Sequence, residues 1–168
     1  MVGMITLISH TSADTRGNQL QLRKASLEDS EALARLYFSS YENEVTSQQE
    51  AQAKIAEIFD NSHGTFYSAA SPVLVDDNGR IVAAALCLQN RTDGVQPGEL
   101  PTIFELFTAA SRRREGLAEK LIRHALGVMA SDGFDQVTVR VEENNYAALA
   151  LYLTLDFNRW NPEEDDLL

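Results

Sequence analysis

Arg112, Arg113 and Arg114 run directly into Glu115 and Gly116, and a strongly amphipathic stretch begins at Leu117. If that stretch is a helix, its N-terminus carries exposed N–H donors and a partial positive charge, so each base placed there costs about 0.3–1 kcal/mol. Three arginines defy that preference, and Glu115 offsets only part of it. Two readings account for them. Either the turn is a solvated basic patch paired with an acidic surface, or a bound polyanion supplies the missing charge, held by backbone N–H groups with Gly116 letting it come close. The apolar run Ile103 to Thr108, a strand candidate, feeds this turn and favours the second reading. Spacing alone gives an anion site at a strand-to-helix turn.

Other chemistries lack their residues. No two of the nine glycines are separated by a single residue, so the dinucleotide fingerprint G-x-G-x-x-G is absent, as are the P-loop and the G-x-S-x-G nucleophile elbow. His10, His63 and His124 are scattered, without cysteines or paired carboxylates at metal-ligand spacing, so no metal site is expected. Cys87, the single cysteine, sits in an apolar run and reads as an inert buried thiol; it also rules out a disulfide framework.

The 168 residues fit one domain and carry a net charge of −11. Resolved along the chain, residues 111–130 hold a charge of +3 while the remainder holds −14. A field of that sign repels phosphate backbones and anionic lipid, so neither nucleic acid nor a membrane surface is expected as a partner. The longest apolar run, Ile81 to Leu88, is far short of a membrane span, and the N-terminal stretch lacks the basic flank of a secretory signal. The expectation is a soluble, cytoplasmic protein.

The elements that must position the arginine turn follow from periodicity. Leu20 to Lys24 alternates like a half-buried strand. Ser26 with Asp29, then Ser47-Gln-Gln-Glu50, resemble capping boxes, each leading into an apolar helical stripe. Val73 to Val75 and Ile81 to Leu88 flank Asp77-Asn78-Gly79-Arg80, the composition of a two-residue type I′ hairpin. Residues 91–101 are a loop by their Gly and Pro content. After the helix from Leu117, with Gly133 placed to end it, Val137, Val139 and Val141 alternate with polar residues as a strand. Asn144-Asn145 precede an Ala/Leu-rich helix through Leu153, and Phe157 to Trp160 reads as a brief strand. The order predicts a mixed α/β sheet domain with crossovers in its second half.

Two motifs in that frame carry a family resemblance. Arg113-x-x-Gly116-x-Ala118, after the strand Leu106-Phe107-Thr108, resembles motif A of the GCN5-related N-acetyltransferase (GNAT) superfamily. Asn145-x-x-Ala148-x-x-Leu151-Tyr152-x-x-x-Asp156-Phe157, about 30 residues on, is similar to the family's second pattern. The resemblance implies a mostly antiparallel twisted sheet with a splayed acetyl-CoA cleft, flanked by about four helices. It implies further that the main chain of Leu106, Phe107 and Thr108 bonds the pantetheine arm, and that Arg113, Arg114, Glu115, Gly116, Leu117, Ala118 and Glu119 wrap the pyrophosphate. Asn145 would touch the cofactor near its pantetheine, and Tyr152 would protonate the leaving CoA thiolate. By themselves, Tyr152 is a core tyrosine and Asn145 a helix cap.

The function expected from the resemblance is acetyl transfer from acetyl-CoA to a primary amine of a small molecule or protein N-terminus, by direct attack. The alternatives are a non-catalytic acyl-CoA sensor of the same fold and an interaction domain without CoA. Acidic surroundings, including Glu42 and Glu44, favour a cationic acceptor by steering. Glu105, Glu142 and His63 are base candidates by residue type, beside a water chain. Domain limits read as a 1–19 extension, a 20–160 acetyltransferase domain and a 161–168 acidic tail. Two departures stand out: Asp156 replaces a glycine, and only eleven residues follow Phe157, so the final strand reads as short or missing. Met4 to Ile8, from the same chain or from a partner in a homodimer, is the expected cover for the edge so exposed.

Overall fold

The unbroken apolar run Ile81–Leu88 becomes a strand buried on both faces, and the rest of the sheet is laid out around it. A computed structural model describes residues 3–14, 21–41 and 47–162. In chain order the elements are β1 (Met4–His10), β2 (Leu22–Lys24), α1 (Ser30–Ser40), α2 (Gln48–Phe59), β3 (Pro72–Val75) and β4 (Ile81–Leu88). Then follow β5 (Thr102–Thr108), α3 (Leu117–Ser131), β6 (Gln136–Glu142), α4 (Tyr146–Thr154) and β7 (Asn158–Arg159). Among the described residues no helix is long and apolar enough to cross a membrane.

The sheet order is β2-β3-β4-β5-β6-β1-β7, antiparallel except for β5 against β6. A parallel pair needs a crossover, and α3 provides it. One face is covered by α1 and α2, whose Leu33, Tyr37, Ile55 and Ile58 pack on Val73, Ala84, Leu86 and Phe107. On the other face Ile122, Ala125 and Met129 of α3, with Tyr152, Leu155 and Phe157, cover Val137, Val139 and Val141.

Local signals act largely as the sequence suggests. Ser47 Oγ accepts the Glu50 N–H at 3.0 Å, and the Asp29 carboxylate accepts the Ser26 N–H at 2.9 Å while holding Arg23 by two 2.8 Å bonds. Gly133 closes α3 at φ 92°, and Asp156 turns the chain at φ 68° in the glycine's place. The hairpin is a correction. Asp76 pairs with Arg80 and its carboxylate takes the N–H groups of Asn78 and Arg80 at 2.9 Å, so the loop has three residues. Gly79 adopts positive φ there, and Asn78 does not.

The N-terminal stretch lies inside the sheet. β1 pairs with β6 over seven residues, Met4↔Glu142 to His10↔Gln136, and β7 then pairs with β1 at Leu7 and Ile8. A boundary at residue 20 therefore does not separate an extension from the sheet. The strand comes from the same chain, so closure of this edge needs no second copy. β7, with two residues, leaves only a short outer edge, and the acidic run Glu163 to Asp166 is outside the described residues.

Deleting residues 1–12 is expected to abolish cooperative urea unfolding, because β6 loses its partner and the core loses Leu7. Leu7→Ala alone should cost about 2–5 kcal/mol. An unchanged urea midpoint and elution volume for the deletion would show that β1 contributes nothing to stability.

Candidate active site

β5 and β6 are joined only at their beginnings, Thr102↔Thr138 and Ile103↔Val139. Thr102 and Thr138 are buried there; Thr102 Oγ1 donates to the Thr138 carbonyl at 3.0 Å and the Thr138 N–H to the Pro101 carbonyl at 3.0 Å. Beyond this root the strands part. A bulge between Leu86↔Glu105 and Cys87↔Ile103 takes Phe104 out of the ladder with β4 and re-aims β5 at the point of divergence.

The hydrogen-bond parity shows what the gap contains. Ala109 N–H bonds the Val82 carbonyl at 2.8 Å, so in the β4 ladder Phe107 also turns its polar groups toward β4, while Leu106 and Thr108 turn theirs away, into the gap. On β6, Glu143 N–H bonds the Gly3 carbonyl at 2.9 Å. Val139 and Val141 therefore face β1, and the main chain of Arg140 and Glu142 faces the gap. Two rows of backbone donors and acceptors thus line a cleft that no strand bridges. Two of the acceptors are engaged by α1, the Leu106 carbonyl by Tyr41 Oη at 3.1 Å and the Thr108 carbonyl by Ser40 Oγ at 3.4 Å; the N–H groups turned into the gap can bind water or an extended ligand with amides of its own.

A cavity of about 390 Å³ lies at the divergence and is lined by residues from both sides of the sheet. On the α3/α4 side it is lined by Leu106, Ala148, Leu151, Asn145 and Tyr152. Tyr152 is 3% exposed, its ring packs edge-on against Phe157, and its hydroxyl has no hydrogen-bond partner among the described residues. Burial, and then the nearby Cys87 and Glu105, push its pKa above the ordinary phenol value of 10.0. The Asn145 side chain caps α4 through the Ala148 N–H at 3.2 Å and also borders the cavity.

The α1/α2 side carries Tyr37, Tyr41, Arg91, Phe104 and Glu105. Tyr41 Oη lies 3.1 Å from the Leu106 carbonyl and 3.3 Å from Glu105 Oε2. Arg91 grips Asp93 through two bonds of 3.2 and 2.7 Å and lies over the Phe104 ring at 5.1 Å. These bonds hold the Asp93 carboxyl down to about 2. His63 stacks on Phe104 with ring centroids 4.9 Å apart, its Nε2 3.1 Å from Glu57 and its Nδ1 3.4 Å from Asp93.

Of the residues singled out from sequence, Leu106, Asn145, Tyr152, Glu105 and Glu142 meet at this one cavity. Phe107 does not: its ring is buried against Tyr37. His63 does not line the cavity and is engaged with two carboxylates. Glu42 and Glu44 lie outside the described residues. The arginine turn leaves the C-terminal end of β5, the end not paired with β6. Arg112 pairs with Glu115 at 2.8 Å, Arg113 and Arg114 are exposed, and α3 starts at Gly116, φ 73°, with no side-chain cap. Leu117 is buried under β3 and β4, Ala118 is half-buried, and Glu119 pairs with Arg123.

Sequence reasoning missed three features: the bulge at Phe104, the left-handed Arg114 at φ 69°, and Arg140. A non-glycine residue in that region costs of order 1–3 kcal/mol and clusters at ligand clamps. Only the Arg-x-x-Gly spacing hinted at it.

A profile of the Acetyltransferase (GNAT) family matches residues 30–157, which excludes β1, β2 and β7. No curated protein matches the sequence. Among solved structures, PH1933 from Pyrococcus horikoshii OT3 is similar at 19% identity and TM-score 0.70, covering 85% of this chain and 91% of that one. The aminoglycoside N-acetyltransferase AAC(6')-Iy in complex with CoA is similar at 17% identity and TM-score 0.63, with coverages of 88% and 93%. A GCN5-related N-acetyltransferase from Sphaerobacter thermophilus shares 16% identity at TM-score 0.66 over 94% of this chain, which spans about half of that protein, 48%. At these identities the likeness is one of fold.

A tyrosine titration checks the burial of the Tyr152 hydroxyl. Tyr67, raised by burial and by its bond to Asp132, behaves likewise. Both groups stay neutral in the folded state while the unfolded phenols ionise near pH 10, so their stabilisation is complete below about pH 10 and is lost as pH rises beyond it. Of five tyrosines, at most about three-fifths should ionise at pH 11 before unfolding. Full ionisation in the folded protein would contradict the geometry.

Proposed function

The chain belongs to the GNAT acetyltransferase family, and from that premise we propose that it transfers the acetyl group of acetyl-CoA to a primary amine by direct attack. The observation that carries this reading is the unbridged cleft, with a buried neutral phenol on one face and a carboxylate on the other. Acetyl-CoA supplies the thioester. The residues present fit it. The N–H groups of Leu106 and Thr108, turned into the gap, would donate to the amide carbonyls of a pantetheine arm as a missing strand would, while its amide N–H groups would share the Leu106 and Thr108 carbonyls with Tyr41 and Ser40. The uncapped start of α3, with Arg113, Arg114 and Gly116, suits its pyrophosphate.

From the α1/α2 face, Glu105 receives the ammonium of the acceptor and removes its proton, freeing the nitrogen lone pair. The nitrogen–carbon bond forms as the carbon–sulfur bond breaks. Tyr152 gives its proton to the departing thiolate; its raised pKa keeps that proton available at neutral pH. A buried site sharpens both transfers, because the groups are fixed before reaction. The AAC(6')-Iy structure with a CoA-linked acetylneamine analogue has the same fold at 16% identity and TM-score 0.62, which supports an amine acceptor in a cleft of this kind. A cytoplasmic setting, with its supply of acetyl-CoA, belongs to the same proposal.

Release of free CoA thiol over a panel of amines tests the reaction, and calorimetry with CoA tests the binding. Tyr152→Phe is expected to lower kcat by about 10²–10⁴ with CoA affinity unchanged. Arg113→Glu combined with Arg114→Glu should weaken CoA binding at least about tenfold, and less so at high salt. Tight CoA binding without turnover of any amine would favour a sensor over a transferase, and no CoA heat at all would overturn both.

A further inference from the structure

β6 alternates, and its two sides serve different ends. Val137, Val139 and Val141 are buried under α3 and α4. Thr138, Arg140 and Glu142 point the other way, and Arg140 and Glu142 border the same cavity as Glu105. Arg140 is half-buried, makes no hydrogen bond or ion pair among the described residues, and its Nε has neither solvent nor a partner.

Arg80, Arg113, Arg114 and Arg159 also lack a carboxylate among the described residues, but all four are exposed; Arg140 alone is both partly buried and unpaired. Arg23, Arg35, Arg91, Arg112 and Arg123 each hold a carboxylate. Acids outnumber bases 25 to 14, so a partner for Arg140 would take one side chain. A buried charged donor left unmade costs more than the roughly 1–3 kcal/mol of a neutral one. Arg91, at the same cavity, shows the alternative, since Asp93 neutralises it.

We propose that the acceptor carries a carboxylate as well as its amine, and that Arg140 is the residue that selects it. The planar guanidinium fork matches a carboxylate through two parallel bonds, and arginine is weakly hydrated enough to make them in a partly buried site. Glu105 and Glu142, bordering the same cavity, attract the ammonium. The acceptor is thus a zwitterion of amino-acid type. The phosphates of CoA are a poor match for Arg140, because the arginine turn at the far end of β5 already supplies an anion site. The assignment of the amine rests on the transferase reading; that of the carboxylate rests on Arg140 itself.

The test uses the full chain saturated with CoA and a panel of N-acetyl amino acids, each matched with its primary amide, with affinity read by calorimetry. At least one acid is expected to bind about tenfold or more tightly than its amide. Arg140→Gln should erase that gap, and Arg140→Lys should restore part of it, both with unchanged CoA affinity. In turnover assays Arg140→Gln should raise KM for the carboxylate acceptor and leave KM for acetyl-CoA unchanged. Equal affinity of acids and amides, no binding of any acid, or a gap that survives in Arg140→Gln would overturn the proposal. Because the wild-type comparison reads binding, a failure to acetylate any amine would sink the transferase reading separately.

Discussion

β5 and β6 run parallel, share hydrogen bonds around Thr102 and Thr138, and then diverge, and the cleft on which the proposed function rests comes from that incomplete pairing. Each strand is satisfied on its other edge, β5 by β4 and β6 by β1. Neither can shift to close the gap without breaking a register that one residue of slip would turn inside out. The bulge at Phe104 fixes where β5 turns away, and the buried threonine pair fixes where it cannot. The cleft is therefore held open by the rest of the sheet, with the main-chain N–H groups of Leu106 and Thr108 turned into it.

The same divergence lets one cavity take its lining from both sides of the sheet and keeps different chemistries apart. Tyr152 belongs to the core on the α3/α4 side, where burial holds it neutral, while Glu105 lies among the tyrosines of α1 on the other. The strands separate the two groups, so in the proposed reaction each would meet a different reactant. β1 takes part indirectly: by pairing along β6 it sets the row from which Arg140 and Glu142 reach the cavity.

Much of this was legible in the residues. Period-two valines, the capping serine at Ser47, Gly133 and the two spaced motifs are local signals, and local physics decides them. Asp156 could be read as a left-handed turn because aspartate tolerates one. Other features depend on partners distant in sequence. The seven-residue β1 looks like any apolar stretch until β6 lies beside it, and the bulge exists only as a mismatch between β4 and β5. The hairpin misled for a local reason: the Asp76 carboxylate competes for the turn N–H groups and outweighs the Asn-Gly preference. Tyr152 illustrates both sides. Its sequence surroundings describe a core tyrosine, and it is one, yet the cavity against its ring is visible only in three dimensions.

Net charge and local charge also act over different distances. The field of −11 reaches an approaching molecule through solvent in which charges are screened within about 8 Å at physiological salt, so it biases encounters more than it selects among bound ligands. At contact, two charges 4 Å apart near a protein surface interact by about 4 kcal/mol, more than a screened field supplies. A zwitterion gains little from the global field, since its charges cancel at a distance. Inside the cleft they separate again, and an unpaired arginine beside two glutamates distinguishes the two ends of the molecule. An acidic protein can in this way accept an anionic group at its centre, provided the cation that meets it is kept free of the many carboxylates able to neutralise it.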